Sequence, residues 1–300
     1  NVAGWTGTFP HPLGAAADKT FLPHWLTSPY PNEYLEQMAE TAIDTLQLGK
    51  GKATDFLGIS FSALDTVGHA FGPRSHEVQD TLVRLDATIG KLLDDLDAKV
   101  GADNYVLALS ADHGVADIPE QVPNAGRQSS KQIQSTIETA LKPLGNGPFV
   151  NVLAYTDVYL ARGVIDRLKK DDKTMAALKE ALLALPGIAN VFRSDEVSTP
   201  AARQSQDPQI RAAALSYFAG RSGDLILIPK ENWLLAASAT THGTLYPYDQ
   251  RVPVVFYGAS INPGPRDDAA TPADIAATLA AIVGAKLPSP DGQVLKPALR

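Results

Sequence analysis

The chain has 300 residues, of which 26 are basic and 33 are acidic, so its formal net charge is −7. This acidic balance argues against a dedicated nucleic-acid-binding protein, which normally carries an excess of basic residues. The absence of cysteine excludes disulfides, thiolate metal ligands and cysteine nucleophiles. With 44% hydrophobic and 7% aromatic residues, the composition is that of a folded domain and not of a disordered chain.

Apolar periodicity in the first third of the chain predicts helices and strands in alternation. Apolar residues at helical spacing between positions 35 and 46 predict a helix with Asn32 as its N-cap. Residues 55–61 form a short apolar run that is typical of a strand buried on both faces. A long helical pattern over 75–99 follows, and 105–110 is a second apolar run. Strands joined through a helix of this length predict a parallel sheet with helices on both faces.

The middle of the chain alternates shorter segments of both kinds, which predict a smaller α+β subdomain over about 149–230, inserted into the main fold. A third apolar strand at 252–257 and a helix at 273–283 then return to the main fold. The run at 252–257 is among the longest apolar runs, yet it is far shorter than the roughly 20 residues of a membrane-spanning helix. We therefore predict an α/β protein with a mostly parallel sheet and no membrane span.

Histidines occur next to each predicted core strand, and at the first two strands an aspartate accompanies them. Asp65 and His69 follow the first strand, Asp112 and His113 follow the second, and His242 precedes the third. Ligands of open α/β sheets bind beyond the carboxyl ends of the parallel strands. One carboxylate with two imidazoles and an open position is a catalytic zinc pattern, which Asp65, His69 and His242 can supply. Asp112 and His113 are adjacent, so one ion can bind both only if a turn at Gly114 splays their side chains, and two neighbouring metals would form a clamp for displacement at phosphorus.

Each of these clusters has a simpler interpretation. A lone Asp-His-Gly or Asp-x-x-x-His occurs often by chance, and a histidine at a strand end is commonly a hydrogen-bonded structural residue. Three such clusters in order favour a metal site. The other histidines, His11, His24 and His76, lack this arrangement and are interpreted as structural.

Four segments carry a resemblance to a known family: residues 62–73 (SALDTVGHAFGP), 110–114 (SADHG), 241–244 (THGT) and 248–253 (YDQRVP). In combination they resemble the type I phosphodiesterase and nucleotide pyrophosphatase branch of the alkaline phosphatase superfamily. The sequence is most similar to the single-chain bacterial alkaline phosphatases that use a threonine nucleophile. The likeness extends from about residue 28 to residue 287.

The resemblance implies roles for the matched residues. Asp65, His69 and His242 would hold the first zinc ion, and Asp112 and His113 would contribute to the second. It also implies two zinc ions per complete site, a small-molecule phosphoester substrate and a covalent phospho-enzyme on a hydroxyl nucleophile. Enzymes of this type commonly work outside the cytoplasm, which implies a periplasmic or secreted location.

The sequence departs from the family pattern near its beginning. The family takes one more aspartate and its threonine or serine nucleophile from positions well before the Asp-x-x-x-His cluster, and nothing in residues 1–64 fits either role. The chain begins with Asn1, and its only methionines are Met38 and Met175. We therefore expect residues 1–300 to be the C-terminal portion of a longer catalytic domain, with the nucleophile outside this chain.

Four hypotheses follow from these observations. The leading one is zinc-dependent hydrolysis of phosphate monoesters. The first alternative is a phosphodiesterase or nucleotide pyrophosphatase, because both chemistries use the same metal frame. The others are a metal-binding fragment without turnover and an acidic α/β binding module without metal. The sequence leaves the oligomeric state open.

Overall fold

A computed structural model of the chain describes residues 4–5, 7–288 and 290–300. The chain divides into two compact units. The first unit comprises Asn1–Gly114 together with Arg251–Arg300, and the second comprises Val115–Gln250. The inserted subdomain over about 149–230 stays a prediction, and the compact unit in that part of the chain is wider than this range.

Four helices come first along the described residues, and strands and helices are mixed after them. The helices are α1 (Phe21–Leu26), α2 (Tyr30–Thr45), α3 (Ala63–Phe71), α4 (His76–Lys99), α5 (Ser130–Ala140), α6 (Val164–Leu168), α7 (Asp172–Leu183), α8 (Ser194–Val197), α9 (Pro200–Arg203), α10 (Pro208–Ser216), α11 (Pro247–Gln250) and α12 (Ala273–Ile282). The strands are β1 (Val106–Ser110), β2 (Gly126–Arg127), β3 (Val150–Ala154), β4 (Asp157–Leu160), β5 (Ile188–Arg193), β6 (Leu225–Pro229), β7 (Trp233–Leu234) and β8 (Val254–Gly258). Short 3₁₀ turns cover Pro119–Gln121, Lys142–Leu144 and Lys296–Ala298.

Helices α2, α4 and α12 of the first unit form where apolar periodicity predicts them. Ala39 and Ile43 of α2 are buried in one cluster with Leu92 of α4, so the apolar stripes of the two helices meet. Helix α4 begins with a side-chain cap, because Ser75 Oγ accepts a hydrogen bond from the Val78 N–H at 3.1 Å.

The predicted N-cap of α2 is wrong. Pro29 occupies that position, and Asn32 lies inside the helix, where it is almost fully buried. Its Oδ1 accepts a hydrogen bond from the Ala63 N–H at 3.3 Å, at the first residue of α3. The side-chain oxygen of an asparagine can cap a helix or accept a hydrogen bond from a distant residue, so the local sequence pattern alone does not distinguish the two roles.

The strands of the first unit do not pair as the sequence predicts. β1 pairs antiparallel with β8, with Ala108 opposite Phe256. Residues 55–61, predicted to be a buried strand, belong to no assigned strand, and the Phe56 side chain is 83% exposed. An apolar run identifies a strand, but the tertiary structure selects its partner and direction. The α/β class is confirmed, but four of the five strand pairs in the described residues are antiparallel, so the predicted mostly parallel direction does not hold for them.

The second unit has a larger core. Its four-stranded sheet has the order β3-β4-β6-β5, with every neighbouring pair antiparallel, and β2 and β7 form a separate short parallel pair. Strand β6 is buried along its whole length. Leu225 and Leu227 of β6 share one cluster with Ile133 of α5 and Leu178 of α7, and all four side chains are fully buried. This core gives the second unit a rigid body on which its loops are supported.

The histidines interpreted as structural include two that pack among aromatic rings in the first unit. His11 stacks on Trp5 at a centroid distance of 4.7 Å and on Phe71 at 5.5 Å, and its Nε2 lies 2.8 Å from Glu77 Oε1. His24 stacks on the same Trp5 ring at 4.3 Å. These contacts confirm a packing role for both. His76 is exposed at the first residue of α4.

None of the helices in the described part of the chain combines the length and the apolar character needed to cross a membrane.

Candidate metal centre

Helix α3 presents the first predicted pair of ligands in the first unit. Asp65 and His69 are four residues apart, so they lie on the same face of the helix. The distance between Asp65 Oδ1 and His69 Nε2 is 3.3 Å, and both side chains are partly exposed. The opposite face is anchored by Val67, which is buried. Asp65 is in the first turn of α3, where a negative charge is favoured by the helix dipole.

The spacing of this pair suits zinc. Two ligands bound to tetrahedral zinc at about 2.0–2.1 Å are about 3.3 Å apart, because the angle between them is near 109°. The observed distance from Asp65 Oδ1 to His69 Nε2 is 3.3 Å. The two ligand atoms therefore fit one tetrahedral ion without a change in their separation.

The second pair follows β1. The imidazole of His113 lies with Nδ1 2.9 Å from the Gly114 carbonyl oxygen and Nε2 3.5 Å from Asp112 Oδ2. A carbonyl oxygen only accepts hydrogen bonds, so Nδ1 carries the proton and donates it. The neutral tautomer then has its lone pair on Nε2, next to the Asp112 carboxylate. This is the usual way in which a protein prepares a histidine for a metal ion.

His242 lies in the loop between β7 and α11 of the second unit. We call residues 238–244 the His242 loop. Gly243, directly after the histidine, has a φ of +98°, and a Cβ atom there would meet the Tyr155 ring at 3.2 Å. Side chains rarely adopt this φ, so the position requires glycine. The observed path of the backbone directly after His242 therefore depends on glycine at position 243.

Arg127 holds the beginning of the His242 loop. Its guanidinium donates to the carbonyl oxygens of Ser238 at 2.6 Å and Ala239 at 2.7 Å. The same group binds both carboxylate oxygens of Glu120, at 2.7 and 3.0 Å. These hydrogen bonds from Arg127 lower the pKa of Glu120 to about 2. The Arg127 guanidinium, which binds Glu120 in a bidentate manner, thus links the His242 loop to the turn that contains Glu120.

Because the pKa of Glu120 is lower in the folded protein, the ion pair stabilises the fold above the ordinary glutamate pKa, and the contribution disappears as the pH falls towards 2. We expect Glu120→Gln to flatten the decrease in unfolding free energy between about pH 5 and pH 2. The effect at neutral pH should stay below about 1 kcal/mol, because Glu120 is mostly exposed. Urea unfolding of metal-free protein at several pH values measures it. An unchanged slope in the variant would contradict this expectation.

Asp249 holds the end of the His242 loop. Its Oδ2 accepts hydrogen bonds from the Thr244 N–H at 2.7 Å and from the Thr244 hydroxyl at 2.6 Å. The side chain is buried, and its Oδ1 has no hydrogen-bond partner among the described residues. Burial and the charge of Asp249 raise the pKa of the neighbouring Tyr155.

A further group of carboxylates, Glu36, Glu40 and Asp95, also gathers within ligand distance in the first unit. The ammonium of Lys91 lies among them, 2.7 Å from Glu36, 3.1 Å from Asp95 and 3.2 Å from Glu40. Hydrogen bonds, led by that to Glu36, raise the pKa of Lys91, so its charge is permanent. Because a cation already neutralises this group, we assign it to the packing of α2 against α4.

The structure therefore brings Asp65 to His69 and Asp112 to His113. His242 belongs to the second compact unit, and its membership of the same ligand set stays a prediction. Arg127 holds the His242 loop but belongs to no local motif, so the sequence does not reveal this role. Carboxylate and imidazole groups are the ligands that zinc and similar divalent ions prefer, so the donor set fits the expected metal.

Comparison with known proteins gives consistent matches over most of the chain. The family model described as type I phosphodiesterase / nucleotide pyrophosphatase matches residues 3–252. A protein of Myroides odoratus named calcium-transporting ATPase is 33% identical over 305 residues, covering 97% of this chain and 54% of its own length. Alkaline phosphatase PafA of Elizabethkingia meningoseptica is 33% identical over 284 residues, covering 90% of this chain and 50% of its own length.

A solved structure is similar as well. The crystal structure of wild-type alkaline phosphatase PafA matches with a TM-score of 0.81 and 30% identity, over 92% of this chain and 54% of that one. The alkaline phosphatase-like fold predicted from the motifs is thereby confirmed. The chain spans about half the length of the curated relatives that it matches.

Proposed function

This chain belongs to the type I phosphodiesterase/nucleotide pyrophosphatase family, and from that premise we propose that it supplies metal ligands for zinc-dependent hydrolysis of phosphate monoesters. One observation carries the proposal: the Asp65 carboxylate and the His69 imidazole of α3 are 3.3 Å apart, which is the spacing of two ligands on one zinc ion. The two residues stand at positions to which the family resemblance assigns the first metal.

In this proposal the five predicted ligands divide into two sets. Asp65, His69 and His242 hold the first zinc, and Asp112 and His113 contribute to the second. The protonated Nδ1 of His113 directs its Nε2 lone pair to the ion. When bound, the zinc ions polarise phosphate oxygens and stabilise the leaving oxygen. We place the hydroxyl nucleophile, on which a phospho-enzyme forms, outside these 300 residues.

The preference for monoesters is supported by the relatives. A curated protein that covers most of this chain is named an alkaline phosphatase, and the similar crystal structure is of the same enzyme. The second candidate is a phosphodiesterase or nucleotide pyrophosphatase, which the description of the matching family favours. A relative named as an ATPase is compatible with both, because it also points to chemistry at phosphorus. A small-molecule phosphoester is the proposed substrate in each case.

The experiment compares two substrates with one leaving group. The complete protein, purified with zinc, is assayed with 4-nitrophenyl phosphate and with methyl 4-nitrophenyl phosphate, and its zinc content is measured by mass spectrometry. We expect zinc in the protein and a higher kcat/KM for the monoester. A higher value for the diester would select the second candidate. If the protein binds zinc but hydrolyses neither substrate, the hypothesis of a metal-binding protein without turnover is selected. If the protein contains no zinc, the metal assignment is refuted.

We also propose a periplasmic or secreted location, which is supported by the family resemblance alone. Fractionation of the source cells, with activity assayed in each fraction, tests it. Recovery of the protein from the cytoplasm would contradict this part of the proposal.

A further inference from the structure

Two buried side chains outside the proposed ligand set fix the loop that carries His242. Thr240, two residues before the histidine, is fully buried, and its hydroxyl donates to the Ala116 carbonyl oxygen at 2.5 Å. Thr244, two residues after the histidine, donates both its N–H and its hydroxyl to Asp249. Side-chain hydrogen bonds therefore fix the loop two residues before His242 and two residues after it.

Backbone hydrogen bonds reinforce both attachments. The Ala116 N–H donates to the Thr241 carbonyl oxygen at 3.2 Å, and the Val115 N–H donates to the Tyr248 carbonyl oxygen at 3.0 Å. Ala116 thus binds the loop directly before the histidine, and Val115 binds Tyr248 of α11, next to Asp249. The Thr240 hydroxyl adds a side-chain bond to a segment that the backbone already contacts.

The burial of the Asp249 carboxylate costs free energy. A buried carboxylate loses its hydration, and that loss is recovered only if its oxygens find donors. Oδ2 has two donors from Thr244, whereas Oδ1 is buried without a donor in the part of the chain that the structure describes. A neutral turn residue would avoid this cost, which calls for an explanation beyond stability.

We propose that Thr240 and Asp249 are positioning residues, which hold the His242 loop so that the imidazole meets the metal in one orientation. The inference rests on the proposed function, since it takes His242 as a zinc ligand. In a flexible loop the imidazole adopts many orientations, and metal binding must select one of them. A loop that is already fixed lowers the conformational entropy lost on metal binding. Groups that orient a metal ligand typically contribute 10–100-fold to metal affinity.

The test measures zinc affinity in the complete, folded protein by competition with a chelating dye. Thr240→Val removes the hydroxyl and keeps the shape, and we expect zinc binding to weaken by roughly 10–100-fold. Thr240→Ser restores the hydroxyl and should recover most of the affinity. The matched control is Thr174→Val, since Thr174 is also buried in the second unit and donates its hydroxyl to Asp171 Oδ2 at 2.7 Å. The control should lose stability without losing zinc affinity.

A second pair of variants tests Asp249. Asp249→Ala removes the acceptor of both Thr244 hydrogen bonds, and we expect a decrease in zinc affinity of the same order. Asp249→Asn keeps an oxygen that accepts these bonds and should bind zinc better than the alanine variant. If Thr240→Val does not fold, this pair decides the outcome.

The results separate the inference from the proposed function. If the unmodified protein binds no zinc, both are refuted. If it binds zinc and the Thr240 and Asp249 variants bind it equally well, only the positioning role is refuted. An equal loss of affinity in Thr174→Val would also refute it, because the effect would then reflect general destabilisation.

Discussion

Asp65→Asn should remove about one zinc ion per protein and lower kcat/KM by roughly 1000-fold. The amide keeps the shape of the side chain but loses the negative charge that binds the cation, while the partly exposed site allows the ion to leave. Metal stabilisation of transition-state charge is worth several kcal/mol, and each 1.36 kcal/mol corresponds to a factor of ten in rate. Zinc content by mass spectrometry and hydrolysis of 4-nitrophenyl phosphate measure the two effects in the complete protein.

Matched controls separate the loss of a ligand from the loss of any similar group. Asp86→Asn makes the same change at an exposed position of α4. His69→Gln should lose zinc and activity as Asp65→Asn does, and its control is His76→Gln, at an exposed histidine at the start of α4. Both control proteins should keep their zinc and their activity. Full zinc content and full activity in Asp65→Asn would exclude this residue from the metal site.

The same measurement tests whether His242 shares the ion of Asp65. His242→Ala should also release about one zinc ion per protein. If both residues bind one ion, the double variant Asp65→Asn/His242→Ala should lose no more zinc than either single variant, because the effects on a shared site are not additive. Loss of two ions in the double variant would assign the residues to different metals.

Leu227→Ala should lower the free energy of unfolding by about 2–5 kcal/mol. Leu227 is fully buried in the middle of β6, the strand that pairs with both β4 and β5. Truncation removes apolar contacts and leaves a cavity in the cluster shared with α5 and α7, which the close-packed surroundings fill only in part. Urea unfolding followed by circular dichroism gives the value.

The control for this prediction is Leu215→Ala on α10, where the leucine is 55% exposed. It makes the same chemical change with little loss of burial, and alanine favours helix at least as well as leucine does. We expect a change within about 0.5 kcal/mol. Similar effects at both positions would mean that the cluster around β6 is not the core of the second unit.

The local parts of this structure could be predicted because their causes are local. Helix α4 agrees with its predicted range to within a residue, since an apolar stripe and the Ser75 cap are both properties of neighbouring residues. The Asp65–His69 contact follows from i,i+4 spacing on a helix. His113 lies next to Asp112 because the two are consecutive. In each case, one short segment contains every group that forms the contact.

Tertiary structure alone decided the rest. Strand β1 pairs with β8 from a distant part of the sequence and not with residues 55–61, and an apolar run does not encode its partner. Thr240 bonds to Ala116 across 124 positions, and Arg127 bonds to Ser238 across 111. Such contacts depend on the folded path of the chain and leave no periodic trace in the sequence. The sequence alone therefore determined the types and the spacing of the candidate ligands, whereas the support of the His242 loop was decided only by long-range hydrogen bonds in the folded chain.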